Sequence, residues 1–253
     1  MQFPPSSLKQ RKQFYKKEFL PKRLQSFFIF PPQYFSIDAG TETKIIKNKS
    51  FRNFMINFGP NLPLQSLKPI AIKYLPEDVY YDRNIYKSLK LTEQLLSRGK
   101  SPDSIKTNIL AQQLAFDLDV ENLSCNLCKR NKKELKFCLP CLQDLKQITI
   151  KMHQQLKKLH FKELKIIYTG RGYHIHVFDT KAYTLSVNER KITNKKLKDS
   201  PIDEWVSSGE VRLIRLPYSL NALVSRIVLP LTLEQLKKFN PEAQAIPRFL
   251  KYK

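Results

Sequence analysis

Glycine is scarce in this chain, six of 253 residues. Each one therefore marks a place where the backbone needs freedom that a side chain would deny. Acidic residues are outnumbered: 22 Asp and Glu stand against 45 Lys and Arg, a formal net charge of +23. That excess points to a polyanionic partner, most simply nucleic acid, although the lysines are spread along the chain and mark no site by themselves. No apolar run approaches the ~18 residues of a membrane span. The start, Met1-Gln-Phe-Pro-Pro-Ser-Ser7, lacks the charged and apolar regions of a signal peptide. No membrane partner is expected, and an intracellular, reducing compartment is, cytoplasmic or nucleoid-associated in a prokaryote. Only four cysteines are present. In that compartment they are metal ligands or free thiols rather than disulfides. Internal repeats and low-complexity tracts are absent. What remains, 42% hydrophobic and 11% aromatic residues, suffices for a globular core.

The most regular stretch is Leu114-Ala-Phe-Asp-Leu-Asp-Val-Glu121. Leu114, Phe116, Leu118 and Val120 share one face, and Ala115, Asp117, Asp119 and Glu121 the other. A half-buried strand with two neighbouring carboxylates calls for positive charge over them, because like charges repel and isolated carboxylates are costly to bury. Two divalent cations with oxygen ligands, magnesium or manganese, meet that need. A solvated sheet face that merely carries two aspartates is the alternative.

Cys125, Cys128, Cys138 and Cys141 form C-x2-C-x9-C-x2-C, a spacing suited to tetrahedral zinc held by four thiolates. Four protein ligands close such a site, so the ion is structural; unrelated free thiols are the alternative. Arg130, Lys132 and Lys133, between the pairs, either touch phosphates or are simply solvated. A zinc deaminase is excluded. Its P-C-x-x-C pair would need cysteine where Asp144 stands, and no H-x-E precedes it.

Tyr168-Thr-Gly-Arg-Gly-Tyr-His-Ile-His-Val177 predicts a hairpin. His174 and His176 share a strand face. Gly170 and Gly172 allow a tight turn or close approach to a ligand, and Arg171 offers a forked donor suited to phosphate. A plain hairpin with a surface arginine and a satisfied core histidine is the alternative. Elsewhere, helices are expected over 8–20, capped by Ser6-Ser7 and stopped by Pro21, and over 51–58, 85–98 and 142–161. In the last of these Leu145, Ile148, Met152, Leu156 and Leu159 recur at three and four, and His153 and His160 are expected at its surface or boundary. Strands are expected over 43–47, twice within 69–81, over 164–169, 173–179 and 226–231, with a final helix from Leu233. An aromatic, proline-broken extended segment covers 27–35.

Taken in order, Asp117-Leu-Asp119, the four-cysteine segment, Thr169-Gly-Arg-Gly-Tyr-His-Ile-His176, Pro201-Ile-Asp-Glu-Trp-Val206 and Arg212-Leu-Ile-Arg-Leu-Pro-Tyr-Ser-Leu220 resemble the catalytic small subunit of archaeal and eukaryotic DNA primases. Phe14-Tyr-Lys-Lys-Glu-Phe19 and Lys49-Ser-Phe51 resemble its N-terminal segments, so the resemblance spans nearly the whole chain.

The resemblance implies that Asp117, Asp119 and Asp203 are the catalytic carboxylates that bind Mg2+ or Mn2+. It implies nucleotide contacts by Lys47, Thr169, Gly170, Arg171, His174 and Arg215. Asn221 stands where the family usually has histidine, and Arg226 is the candidate substitute for a missing Lys-Thr-Gly. Only a short Lys-rich segment joins His176 to Asp203, which marks a minimal, archaeal-like form. The expected fold is α/β (α+β): one domain over 1–253, its mixed or antiparallel sheet flanked by helices, with a zinc module inserted at 122–142. The expected activity is template-directed primer synthesis on single-stranded DNA from NTPs or dNTPs by two-metal nucleotidyl transfer, alongside a large iron–sulfur subunit. The alternatives are a non-catalytic zinc-containing nucleic-acid-binding subunit and a primase-related repair or plasmid polymerase.

Overall fold

The structure, a computed structural model, describes residues 3–40, 55–60, 62–97, 102–123, 138–197, 200–209 and 213–251. In chain order the elements are α1 (Leu8–Lys17), β1 (Phe35–Asp38), β2 (Met55–Phe58), α2 (Leu67–Tyr74), β3 (Asp78–Asp82), β4 (Asn84–Tyr86), α3 (Leu89–Ser97), β5 (Ile109–Gln112), β6 (Ala115–Asp119), α4 (Leu139–Lys158), β7 (Leu164–Tyr168) and β8 (Gly172–Val177). There follow α5 (Thr180–Tyr183), α6 (Val187–Lys196), α7 (Glu204–Ser208), β9 (Leu213–Arg215), β10 (Leu220–Asn221), β11 (Arg226–Ile227), β12 (Leu229–Leu231), α8 (Leu233–Lys238), α9 (Pro241–Gln244) and α10 (Arg248–Lys251).

Two four-stranded sheets carry the fold, in the orders β2-β1-β3-β9 and β12-β7-β8-β6, with β4-β5 and β10-β11 as two-stranded ribbons. The sheet was expected to be mixed or antiparallel, and every described pairing is antiparallel. The alternation in and around β6 sorts two cores. Leu114, Phe116, Leu118 and Val120 pack with Leu142, Leu145, Met152 and Leu156 of α4. Ala115 packs instead with Phe14, Phe35, Val79 and Ile214, from α1 and the first sheet. Side chains two apart share a strand face, so Asp117 and Asp119 look the same way as Ala115, toward the first sheet.

Helix α1 begins where predicted. Ser7 is its N-cap and forms a capping box with Gln10. It ends at Lys17 rather than Leu20. Helix α4 starts and stops three residues before the predicted 142–161. Pro140 fits its first turn, where the missing N–H costs nothing, and His160 leaves the helix at φ 65°. His153 on this helix is buried rather than at the surface or boundary.

Three expectations are corrected. The helix expected over 51–58 is, in its described part, strand β2, whose Phe58 pairs with Phe35 and whose Asn57 accepts from the Ser36 hydroxyl. Four residues are too few to distinguish the two periods. The first strand expected within 69–81 is helix α2. Pro69 lies in its first turn, Leu67 and Ala71 are buried, and Leu75 ends it in the left-handed region at φ 48°. Ile70 and Ile72, spaced by two, imitate a strand in so short a window. The helix expected over 85–98 starts at Leu89, because Ile85 pairs with Ala111 in the β4-β5 ribbon. The Lys-rich segment before Asp203 holds α5 and α6. The latter has a Ser186/Glu189 capping box and is anchored by buried Arg190 and Asn194 instead of an apolar stripe. The strand expected over 43–47 and most of the zinc module, 124–137, lie outside the described residues. Among the described residues no helix is long and apolar enough to cross a membrane.

Candidate active site

The β6/β8 register assembles the centre. Asp117 is paired with His174 and Asp119 with Gly172, and directly opposed residues of an antiparallel pair put their side chains on one face. His174 Nε2 accordingly lies 3.3 Å from Asp117 Oδ1. Opposite Asp119 there is no room for a side chain: a Cβ at Gly172 would run into the carbonyl oxygen of Leu118. The chain turns just before, at Gly170, with φ 99°. The Thr169 N–H donates to the Gly172 carbonyl at 3.0 Å, and the Gly172 N–H donates to the Thr169 hydroxyl at 3.1 Å. The Tyr168 hydroxyl closes onto the Gly170 carbonyl at 2.9 Å. This turn delivers Arg171, whose Nη2 stands 3.6 Å from Asp119 Oδ1.

Asp117 is a quarter exposed. Burial works to raise its pKa, but the positive groups of His174, Arg215 and Arg171 outweigh burial and hold it below the ordinary aspartate value. Arg215 comes from β9 in the other sheet. Its Nε and Nη2 donate to the two oxygens of Asp78 at 2.8 and 2.7 Å. Asp78 also accepts from the Tyr80 hydroxyl. Burial disfavours the Arg215 charge, and the carboxylates of Asp78 and Asp117 more than compensate. The cationic end of one sheet thus reaches the acidic face of the other.

Behind His174 runs a buried chain of hydrogen bonds. His174 Nδ1 is 3.4 Å from His176 Nε2, His176 Nδ1 is 2.9 Å from the Tyr81 oxygen, and the Tyr81 hydroxyl donates to Gln113 Oε1 at 2.7 Å. An amide oxygen only accepts. The Tyr81 proton therefore goes to Gln113, and the Tyr81 oxygen accepts from His176 Nδ1–H. His176 Nε2 is left to accept from His174 Nδ1–H. Burial, reinforced by the charges of His174, Arg83 and Lys165, pushes the His176 pKa well down, in keeping with a neutral ring. The second histidine of the hairpin is thus satisfied in the core and also orients the first.

Other predicted residues fall in three groups. Asp203 is brought alongside β6, its N–H donating to the Asp117 carbonyl at 3.0 Å, while its carboxylate caps α7 through the Trp205 N–H at 2.8 Å. Asn221 and Arg226 are turned inward, contrary to a phosphate-facing position. Asn221 is buried and donates to the Thr169 carbonyl at 2.9 Å, so it braces the Gly170 turn from behind. Arg226 is buried over the Phe3 ring and donates to the carbonyls of Val224 and Ser225. Lys47, Cys125 and Cys128 lie outside the described residues, as do Arg130, Lys132, Lys133 and Arg212. Sequence reasoning missed Asp78 and Tyr81. The pattern Asp78-Val-Tyr-Tyr-Asp82 marks a strand but not its partners.

Asp117 and Asp119 supply hard oxygen donors of the kind magnesium and manganese prefer. The low pKa of Asp117 keeps it in the ligating, ionised form. Among the described residues, no group of three or more His, Cys, Asp or Glu side chains is placed to hold a metal ion. Cys138 and Cys141 are buried at the start of α4, one as its N-cap and one in its first turn. They are the two cysteines of the C-x2-C-x9-C-x2-C spacing that lie among the described residues.

No protein-family model matches the chain. It is 37% identical over 258 aligned residues to an uncharacterized DNA primase small subunit-like protein of Archaeoglobus fulgidus, covering 97% of this chain and 91% of that protein. It is 25% identical to the DNA primase small subunit PriS of Pyrobaculum calidifontis, covering 77% of this chain and 69% of that protein. It is 28% identical to PriS of Thermococcus sibiricus, covering 85% and 59%.

Proposed function

The chain belongs to the archaeal-type DNA primase small-subunit family, and from that premise we propose that it is the catalytic subunit of a primase, making short RNA or DNA primers on single-stranded DNA from NTPs or dNTPs. The observation that carries the reading is the β6/β8 register, which sets Asp117 beside His174 and Asp119 beside the Arg171 turn. A binding module has no need of paired acids on the same face as phosphate donors.

Asp117 and Asp119 would hold Mg2+ or Mn2+, and Asp203, whose carboxylate caps α7, would have to turn toward them to join the pair. When bound, the cations would activate the attacking 3′-hydroxyl and neutralise the triphosphate. The chain's own groups act around that centre. Arg171 is a planar, always-charged donor held at the hairpin tip, suited to bidentate contact with a phosphate as charge develops on it. His174, held by His176 and Tyr81, presents Nε2 on the same face. Arg215, pinned by Asp78, contributes a fixed positive field at Asp117. The excess of lysine would grip the template backbone in a salt-dependent way. Zinc on Cys125, Cys128, Cys138 and Cys141 would be structural, and a large iron–sulfur subunit is the expected partner.

The test is incubation of the purified chain with single-stranded DNA, Mg2+ or Mn2+ and labelled nucleotides, beside the Asp117→Ala/Asp119→Ala variant. Short products from the wild type alone are expected, and the nucleotide consumed reports the sugar preference. A second reading, nucleic-acid binding without synthesis, draws on the engagement of both carboxylates by Arg171 and His174 and on the inward Asn221. It requires that neither protein make product, with or without a large subunit, while both bind DNA.

A further inference from the structure

The chain contains one tryptophan, and it is 69% exposed. Single exposed apolar residues are common on proteins, so exposure alone assigns nothing. The position of Trp205 does. The Asp203 N–H donates to the Asp117 carbonyl, Ile202 bridges to Leu118, and the Trp205 N–H donates to Asp203 Oδ1. The indole is therefore carried on the first turn of a helix that begins at the catalytic strand, two hydrogen bonds from the backbone of Asp117. Helix α7 is also held firmly. Arg83 Nη2 donates to the Val206 carbonyl, and Asn194 of α6 donates to the Ser207 hydroxyl at 2.7 Å. The last turn of α6 exposes Lys195 and Lys196. An exposed aromatic side chain on a helix hydrogen-bonded both to α6, whose last turn carries exposed cations, and to the strand of Asp117 has the make-up of a single-strand binding surface, in which rings stack on bases while cations follow the phosphates.

We propose that Trp205 is a stacking platform for a base of single-stranded nucleic acid entering the site. This rests on the primase reading for its location but makes its own demand, that the indole touch a base whether or not synthesis occurs. Because the chain has no other tryptophan, its intrinsic fluorescence reports this one position.

The experiment titrates the 253-residue chain, without nucleotides, with an oligothymidylate and with an abasic oligonucleotide of equal length. Tryptophan emission and the anisotropy of end-labelled strands are followed together. The oligothymidylate should bind and quench the emission, and the abasic strand should bind through its phosphates without quenching. Trp205→Ala should weaken oligothymidylate binding about fivefold to a hundredfold, the loss that corresponds to one stacked base. It should leave abasic binding and the thermal melt unchanged, and Trp205→Phe should recover part of the loss. The proposal is overturned if the oligothymidylate binds without quenching, if both strands quench alike, or if Trp205→Ala binds as the wild type does. Quenching by a nucleoside triphosphate but not by the oligothymidylate also overturns it, since the stacked base would then belong to the incoming nucleotide. Absence of binding by either strand would overturn the primase reading together with the platform.

Discussion

Replacing Asp78 by alanine tests how the two sheets are joined electrically. The Asp78 carboxylate is 3% exposed and the Arg215 side chain 13%, and two hydrogen bonds of 2.7–2.8 Å connect them. Breaking such a pair from one side leaves a guanidinium without compensation in a dry place, at a cost of about 3–5 kcal/mol. Asp117 still faces Arg215, which argues for the lower end, about 3 kcal/mol. For a chain of this size each kcal/mol lowers Tm by ~2–4 °C, so Asp78→Ala should melt about 6–12 °C below the wild type. Circular dichroism melts measure this, and Asp78→Asn controls for lost volume. Removing both partners tells more. Asp78→Leu/Arg215→Met should be considerably more stable than Asp78→Ala, because no charge is stranded. A loss below ~1 kcal/mol for Asp78→Ala is the behaviour of a surface pair and would refute the argument that Arg215 is fixed by a buried one.

Two further outcomes follow from the same geometry. Gly172→Ala must push β6 and β8 apart at the Leu118 carbonyl, costing on the order of 1–3 kcal/mol or more; a denaturant midpoint equal to the wild type would show that the strands separate freely there. Asp82 is buried, and burial lifts its pKa to about 6 despite hydrogen bonds from Tyr86 and Asn84. The folded state then binds the proton more tightly than the unfolded state, so stability is gained as pH falls through about 6 toward 4 and lost again on raising it, by up to ~3 kcal/mol. Urea midpoints over that range should show the wild type gaining on Asp82→Asn as pH falls; parallel profiles would mean that Asp82 is charged at no cost.

Much of the centre could be read from local order. Strict alternation at 114–121, glycines at 170 and 172 and the three-and-four repeat from Leu145 to Leu159 each impose a period over enough residues to leave one interpretation. Where the window was short, as at Ile70–Ile72 or 55–58, helix and strand could not be told apart. Helix α6 escaped because buried Arg190 and Asn194 hold it, and polar anchors leave no apolar stripe. The deepest misses were matters of distance along the chain. Arg215 meets Asp78 across 137 positions and Tyr81 meets His176 across 95, and no periodicity encodes such pairs. Asn221 and Arg226 were assigned by homologous position, which specifies the residue but not the direction of its side chain.

The double allegiance of β6 has a consequence for how the protein comes apart. One side of the strand belongs to the hydrophobic core under α4, while Ala115 on its other side belongs to the core under α1. Neither half can melt without stripping cover from the same five residues. The two halves are thus bound into a single cooperative unit, and the acidic strand, though it opens onto solvent, sits at the point where local unfolding is least affordable. Its amides belong with the slowest to exchange in the molecule, and a partly unfolded form that keeps an intact centre has no structural basis.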